Sequence, residues 1–281
     1  QARNDYGSTL FAHTGMAVLR GSVEQTKGIA AALIYKPGGT FAGHQHADNL
    51  NLYLSALGYT WLTGAGTFPY SPGVQDQRHG TYARHTAAKN SLVVDGKSQI
   101  PQRENAGLFT TDGPRTSRGY LDLYVPGPTA QLVRAGSDEV YPGVHLERTL
   151  LVSDGYVLDV YDAVGTEIHQ YDWIIHVDGK VEGHGLDWID ADGTLGREDG
   201  MQYLNVDRRL DRVEEPVTLR WTASAGRYLD HWLVPAGEEV TIYVGSSLWT
   251  VSPGERTFMA ARTEAEATRF VSLFVPTDGD P

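Results

Sequence analysis

At 281 residues, with 41% hydrophobic and 21% charged side chains, the chain can bury a large core and has the composition of a soluble globular protein. Its formal charge of −12 argues against nucleic acid as the main partner, although Arg78, Arg84 and Lys89 are enough to dominate the potential inside a cleft. Without cysteine, neither disulfides nor thiolate zinc sites are possible, and no run is apolar enough to cross a bilayer, so no membrane partner is expected. No basic-then-apolar leader opens the chain at Gln1, which reads as a processed chain or a piece of a longer one, compatible with a secreted or periplasmic bacterial protein.

The apolar residues recur with the period of strands. Residues 17–20, 28–35, 50–54, 91–94, 145–152 and 156–161 are short and rich in β-branched or aromatic side chains. Turn chemistry separates them at Pro37-Gly38-Gly39, Asp95-Gly96, Ser153-Asp154-Gly155, Asp178-Gly179 and Asp192-Gly193, and 146–160 reads as a hairpin. Later strands are expected over 217–222, 228–234, 240–244 and 269–275. A short helix is expected around 262–268, and a long acidic surface loop over 187–200. No internal repeat, low-complexity tract or linker breaks the pattern. The expected fold is all-β, a large antiparallel β-sandwich, with 1–281 forming one compact unit.

Chemistry-bearing residues concentrate between 39 and 99. In Gly43-His44-Gln45-His46-Ala47-Asp48, two histidines at i and i+2 share one strand face. Such a face suits a general acid or base, a metal ligand, or a pair of satisfied structural histidines. Asp48 is either a third polar member or a cap on the turn into the strand at Leu50. Tyr70 sits in a loop with two prolines and a glycine, where it would hydrogen-bond a sugar, stack on it, or plug the core. Arg84, Lys89 and Asn90 are expected to arrive together on a later strand, Arg84 clamping a carboxylate or forming a surface ion pair. Gly64-Ala65-Gly66 lacks the rest of a dinucleotide site, and Asp190-Ala191-Asp192-Gly193 reads as a plain acidic turn rather than a calcium loop. No serine nucleophile stands in a Gly-x-Ser-x-Gly context. Residues 169–179 read mostly as a buried strand, with His176 a possible cleft member.

Four segments resemble the heparinase II/III-like family of polysaccharide lyases. These are 11–20, the His44-Gln45-His46-Ala47-Asp48 signature, the 62–70 strand end and tyrosine loop, and 84–90 with Val93-Val94-Asp95-Gly96-Lys97-Ser98-Gln99; His169 to Trp173 and His176 also sit well. The likeness covers most of 10–180. It implies an N-terminal helical toroid, not contained in this chain, followed by a β-supersandwich. It implies β-elimination on a uronate-containing polysaccharide, with His44 and Tyr70 in the catalytic cleft. Arg84, His46, Lys89 and Asn90 would face an acidic polysaccharide or oligosaccharide. In the family the second histidine often binds a structural zinc with an aspartate and another histidine. Here those two positions read Gly64 and Lys89, so no zinc or other cofactor is expected, and Lys89 would place its ammonium at the metal position. The helical domain of the same protein is the second expected partner. A non-catalytic carbohydrate-binding sandwich is the main alternative, and an epimerase or mutarotase a third.

Overall fold

The computed structural model describes residues 7–21, 28–37, 46–68, 70–71, 74–75, 77–99, 118–183, 185–223, 226–235, 239–249 and 254–279. Strands β1 (Thr9–Phe11), β2 (Met16–Arg20), β3 (Ala30–Ile34), β4 (Asn51–Ala56) and β5 (Tyr59–Leu62) form an antiparallel meander. A two-residue hairpin, β6 (Tyr70–Ser71) with β7 (Val74–Gln75), leads into one turn of π-helix (His79–Ala83) and one 3-10 turn (Thr86–Ala88) before β8 (Leu92–Val94). Then come β9 (Tyr120–Pro126), β10 (Ala130–Tyr141), β11 (Val144–Ser153), the long β12 (Val157–Val177), β13 (Lys180–Glu182) and β14 (Ile189–Asp190). The chain closes with β15 (Leu204–Val213), β16 (Val217–Thr222), β17 (Arg227–Pro235), β18 (Val240–Trp249) and the long β19 (Gly254–Asp278).

The two long strands organise the sandwich. β12 and β19 pair with each other on both sides of a register shift between Val164 and His169. The first half of β12 pairs with β11, and the second half with β8. β19 likewise pairs with β18 in its first half and β17 in its second. One layer therefore runs β9-β10-β11-β12-β19-β17-β16-β13, and the other joins the meander and β8 through β12 and β19 to β18, β15 and β14. All pairings are antiparallel, as expected. β2 and β3 lie close to β10 and β11, and Leu19, Leu33, Leu52, Leu146, Leu150, Tyr161 and Phe274 belong to the main buried cluster.

Strand alternation is read out directly in β11, where Val144, Leu146, Arg148, Leu150 and Val152 are buried and the residues between them are not. The expected hairpin closes with the Ser153 amide on the Tyr156 carbonyl at 3.0 Å. Residues 171–177 are buried on both faces, because a second apolar cluster of Tyr82, Ala87, Ile174, Met201 and Phe258 covers the side opposite the main core.

Three expectations need correction. Residues 262–268 are not helical but belong to β19; Arg262 pairs with Asp172 on one edge and Thr241 on the other, the residues after it pair with β12, and this long-range pairing overrides the local helix preference of Ala and Glu. The stretch 187–200 is not wholly surface loop: β14 lies within it, and Leu195 packs into the second cluster. Arg84, Lys89 and Asn90 do not share a strand, since Arg84 closes the π turn, Lys89 caps the 3-10 turn and Asn90 precedes β8. Among the described residues no helix is long and apolar enough to cross a membrane.

Candidate functional site

The segment 46–50 that leads into β4 carries no regular backbone ladder, so its polar groups need other partners. The helical turns supply them. The Ala47 amide donates to the Arg84 carbonyl at 2.8 Å, and Thr86 Oγ1 donates to the Ala47 carbonyl at 3.0 Å. The Asn49 amide donates to Gln99 Oε1 at 2.8 Å, while Gln99 Nε2 and Ser91 Oγ donate to the Asn49 carbonyl. Leu50 adopts a left-handed φ of 56°, and its carbonyl receives Arg148 Nη1 at 2.6 Å. Arg148 is fully buried. It forks onto Asp159 through Nε and Nη2 (2.8 and 2.6 Å) and gives Nη1 also to the Asn90 carbonyl at 2.6 Å. A charged pair inside the sandwich thus holds the floor of the segment that carries His46.

Above that floor, Lys89 is 3% exposed, and its ammonium lies 2.7 Å from the Ala83 carbonyl and 2.8 Å from His46 Nδ1. Lys36 donates to the His46 carbonyl at 2.7 Å and forms an ion pair with Asp48. The His79 ring stands edge-on to His46 at 5.8 Å. Arg256 is buried behind them and donates to the Thr63 and Gly64 carbonyls. Burial and then the Lys89 ammonium push His46 down to about 3, so the imidazole is neutral at physiological pH. Burial lowers Lys89 to about 8 and Arg256 to about 10. For Asp48 burial acts upward, but Lys36 and Lys89 outweigh it and hold the carboxyl below its usual value. Two ammonium groups, Lys36 and Lys89, therefore act on one carboxylate, a local reversal of charge in a chain of net −12.

The structure brings His46 and Lys89 into contact and sets the Arg84 backbone beside Ala47; the half-buried Arg84 guanidinium is lowered by burial. His44 and the Tyr70 side chain lie outside the described residues. Asn90 turns inward: Nδ2 donates to the Leu52 carbonyl at 2.7 Å and Oδ1 accepts the His176 amide at 2.7 Å, so its side chain ties β4, β8 and β12 together instead of facing a ligand. His176 is fully buried and holds Ser247 Oγ and the Ala87 carbonyl, not a cleft position. Sequence reasoning missed Lys36, Arg148, Asp159 and Arg256. The first and last carry no local signal. Arg148 and Asp159 do, for both occupy the inward parity of strands otherwise filled at that parity by Leu, Val and Tyr.

The zinc set implied by the resemblance does not fit these residues. Lys89 occupies the Nδ1 side of His46, and Gly64 has no donor; a Cβ built there would lie 3.6 Å from Lys89 Cδ and 3.7 Å from the Tyr53 hydroxyl. Nearby alternatives are engaged elsewhere, His85 with Ser98 Oγ at 2.7 Å and Asp48 with Lys36.

An alginate lyase of Stenotrophomonas maltophilia (strain K279a) is 27% identical over 223 residues, 74% of this chain and 28% of that protein. A mutant of the heparan sulfate lyase HepC from Pedobacter heparinus superposes with a TM-score of 0.71 at 15% identity, over 99% of this chain and 37% of that one. The heparinase III BT4657 gene product gives 0.70 at 14% identity, over 98% and 37%. The chain thus spans about a third of the length of these proteins, and the two solved structures share its fold. The heparinase II/III-like, C-terminal family matches residues 3–273, and the chain belongs to that family.

Proposed function

We propose that this chain is the β-sandwich part of a polysaccharide lyase that cleaves a uronate-containing acidic polysaccharide by β-elimination. A helical domain of the same protein would complete the cleft, consistent with the chain spanning only 28% of its alginate lyase relative. The observation that carries the reading is the reversal of charge at His46: Lys36 and Lys89 outnumber Asp48 in an otherwise acidic protein. Such a cluster favours an anionic sugar and the further charge that builds on its carboxyl group when C5 is deprotonated.

In the reaction a base takes the C5 proton, the electron pair forms the C4–C5 double bond, and the C4–O bond breaks as an acid protonates the departing oxygen. His44 is assigned to proton transfer or to polarising the carboxylate, Tyr70 to the same cleft, and Arg84 to clamping the carboxylate. The helical domain supplies the main base. No metal takes part in this reading, because the Lys89 ammonium stands where a zinc would need His46. Export to the periplasm or medium follows from a polymeric substrate. The test is absorbance of unsaturated uronate from the full-length protein on alginate and heparan sulfate, with binding measured in parallel. Binding without any unsaturated product would replace this reading by a non-catalytic carbohydrate-binding sandwich.

A further inference from the structure

The contact between Lys89 and His46 sets which ring nitrogen carries the proton. An ammonium has three donors and no acceptor, so at 2.8 Å the Nδ1 of His46 must accept and cannot hold a hydrogen. The ammonium is anchored independently by the Ala83 carbonyl at 2.7 Å and is almost wholly buried, so giving up either contact would leave a buried donor unmatched. With Nδ1 accepting, the ring carries a single proton, on Nε2, which has no hydrogen-bond partner among the described residues. His46 itself is held in place from behind, through its carbonyl by Lys36 and through the next residue by Arg84 and Thr86.

A hydrophobic residue at position 89 would pack in this interior without the desolvation cost of an ammonium. What the lysine adds is a fixed donor facing Nδ1. We propose that Lys89 is a positioning residue that locks His46 as the Nε2–H tautomer, so that His46 offers a hydrogen-bond donor to a ligand oxygen and acts neither as a base nor as a metal ligand. Only the identity of that oxygen, a hydroxyl or carboxylate of an acidic sugar, rests on the lyase reading. The tautomer does not.

The experiment is long-range proton–nitrogen correlation spectroscopy at neutral pH on the full-length protein carrying isotope-labelled histidine. His46 is identified by the signals lost in His46→Gln. A hydrogen bond from a charged donor predicts the Nε2–H form in excess by roughly tenfold or more. In Lys89→Met that excess collapses toward a mixture, and in Lys89→Arg, another donor-only cation, it returns. A wild-type His46 protonated on Nδ1, or a Lys89→Met spectrum unchanged from wild type, overturns the proposal. If Lys89→Met does not fold, the wild-type spectrum alone decides. The expected tautomer in a protein that yields no unsaturated uronate would sink the lyase reading and leave the role of Lys89 standing.

Discussion

Replacing Arg148 with methionine removes one partner of the Arg148–Asp159 pair while keeping similar bulk. Asp159 is 1% exposed and would be left as an uncompensated buried carboxylate, while the Leu50 and Asn90 carbonyls would each lose a charged donor. Breaking such a pair from one side is destabilising by about 3–5 kcal/mol. At roughly 2 °C per kcal/mol for a chain of this size, the melting temperature should fall by about 6–10 °C. Arg148→Met/Asp159→Leu should recover most of that loss, because an apolar pair fills the same space without a stranded charge, yet not all of it, because the Leu50 carbonyl loses its charged donor and the Asn90 carbonyl keeps only the Leu52 amide. Urea and thermal unfolding of wild type and the two variants at pH 7 measure both terms. A single-variant loss below about 1 kcal/mol, the range of an exposed ion pair, would refute the idea that this pair holds the floor of the site.

Acid stability gives another test. His231 is fully buried, stacked on Phe274 and bonded to Ser272 Oγ, and burial lowers it from 6.5 to about 3. Between those values the unfolded chain binds a proton that the folded chain does not, so stability falls as pH drops below 6.5; at pH 5 the loss is about 2 kcal/mol. His231→Leu should lose about that much less between pH 7.5 and 5, and equal losses would show that His231 titrates normally in the fold. For the metal, protein purified without chelator should hold no stoichiometric zinc, whereas Gly64→Asp/Lys89→His should take up close to one per chain. Elemental analysis decides, and about one zinc on wild type bound through His46 would end the lysine-for-metal reading. His44→Ala in the full-length protein should lower turnover by roughly 100- to 10,000-fold with an unchanged melting curve, and near-normal turnover would remove His44 from the catalytic group.

Strand periodicity alone determined that this is an antiparallel all-β chain. A strand with one covered face states its orientation every second residue, so β11, the first half of β12 and β16 were legible from local pattern. The same parity marked Arg148 and Asp159, had it been read for charge as well as for apolarity. The motif around His46 was legible because its residues are close in sequence. What only the tertiary structure decided is what long-range register controls. Residues 262–268 became strand because β12 lies along them, with β18 reaching Arg262 on the other edge, a fact absent from any local window. Lys89 meets His46 across 43 residues, and Lys36 and Arg256 reach the same site from β-strand neighbours that sequence spacing does not announce. Asn90 looked like a ligand group and proved to be a junction, because a buried amide must satisfy its own donors and acceptor before it can serve anything else.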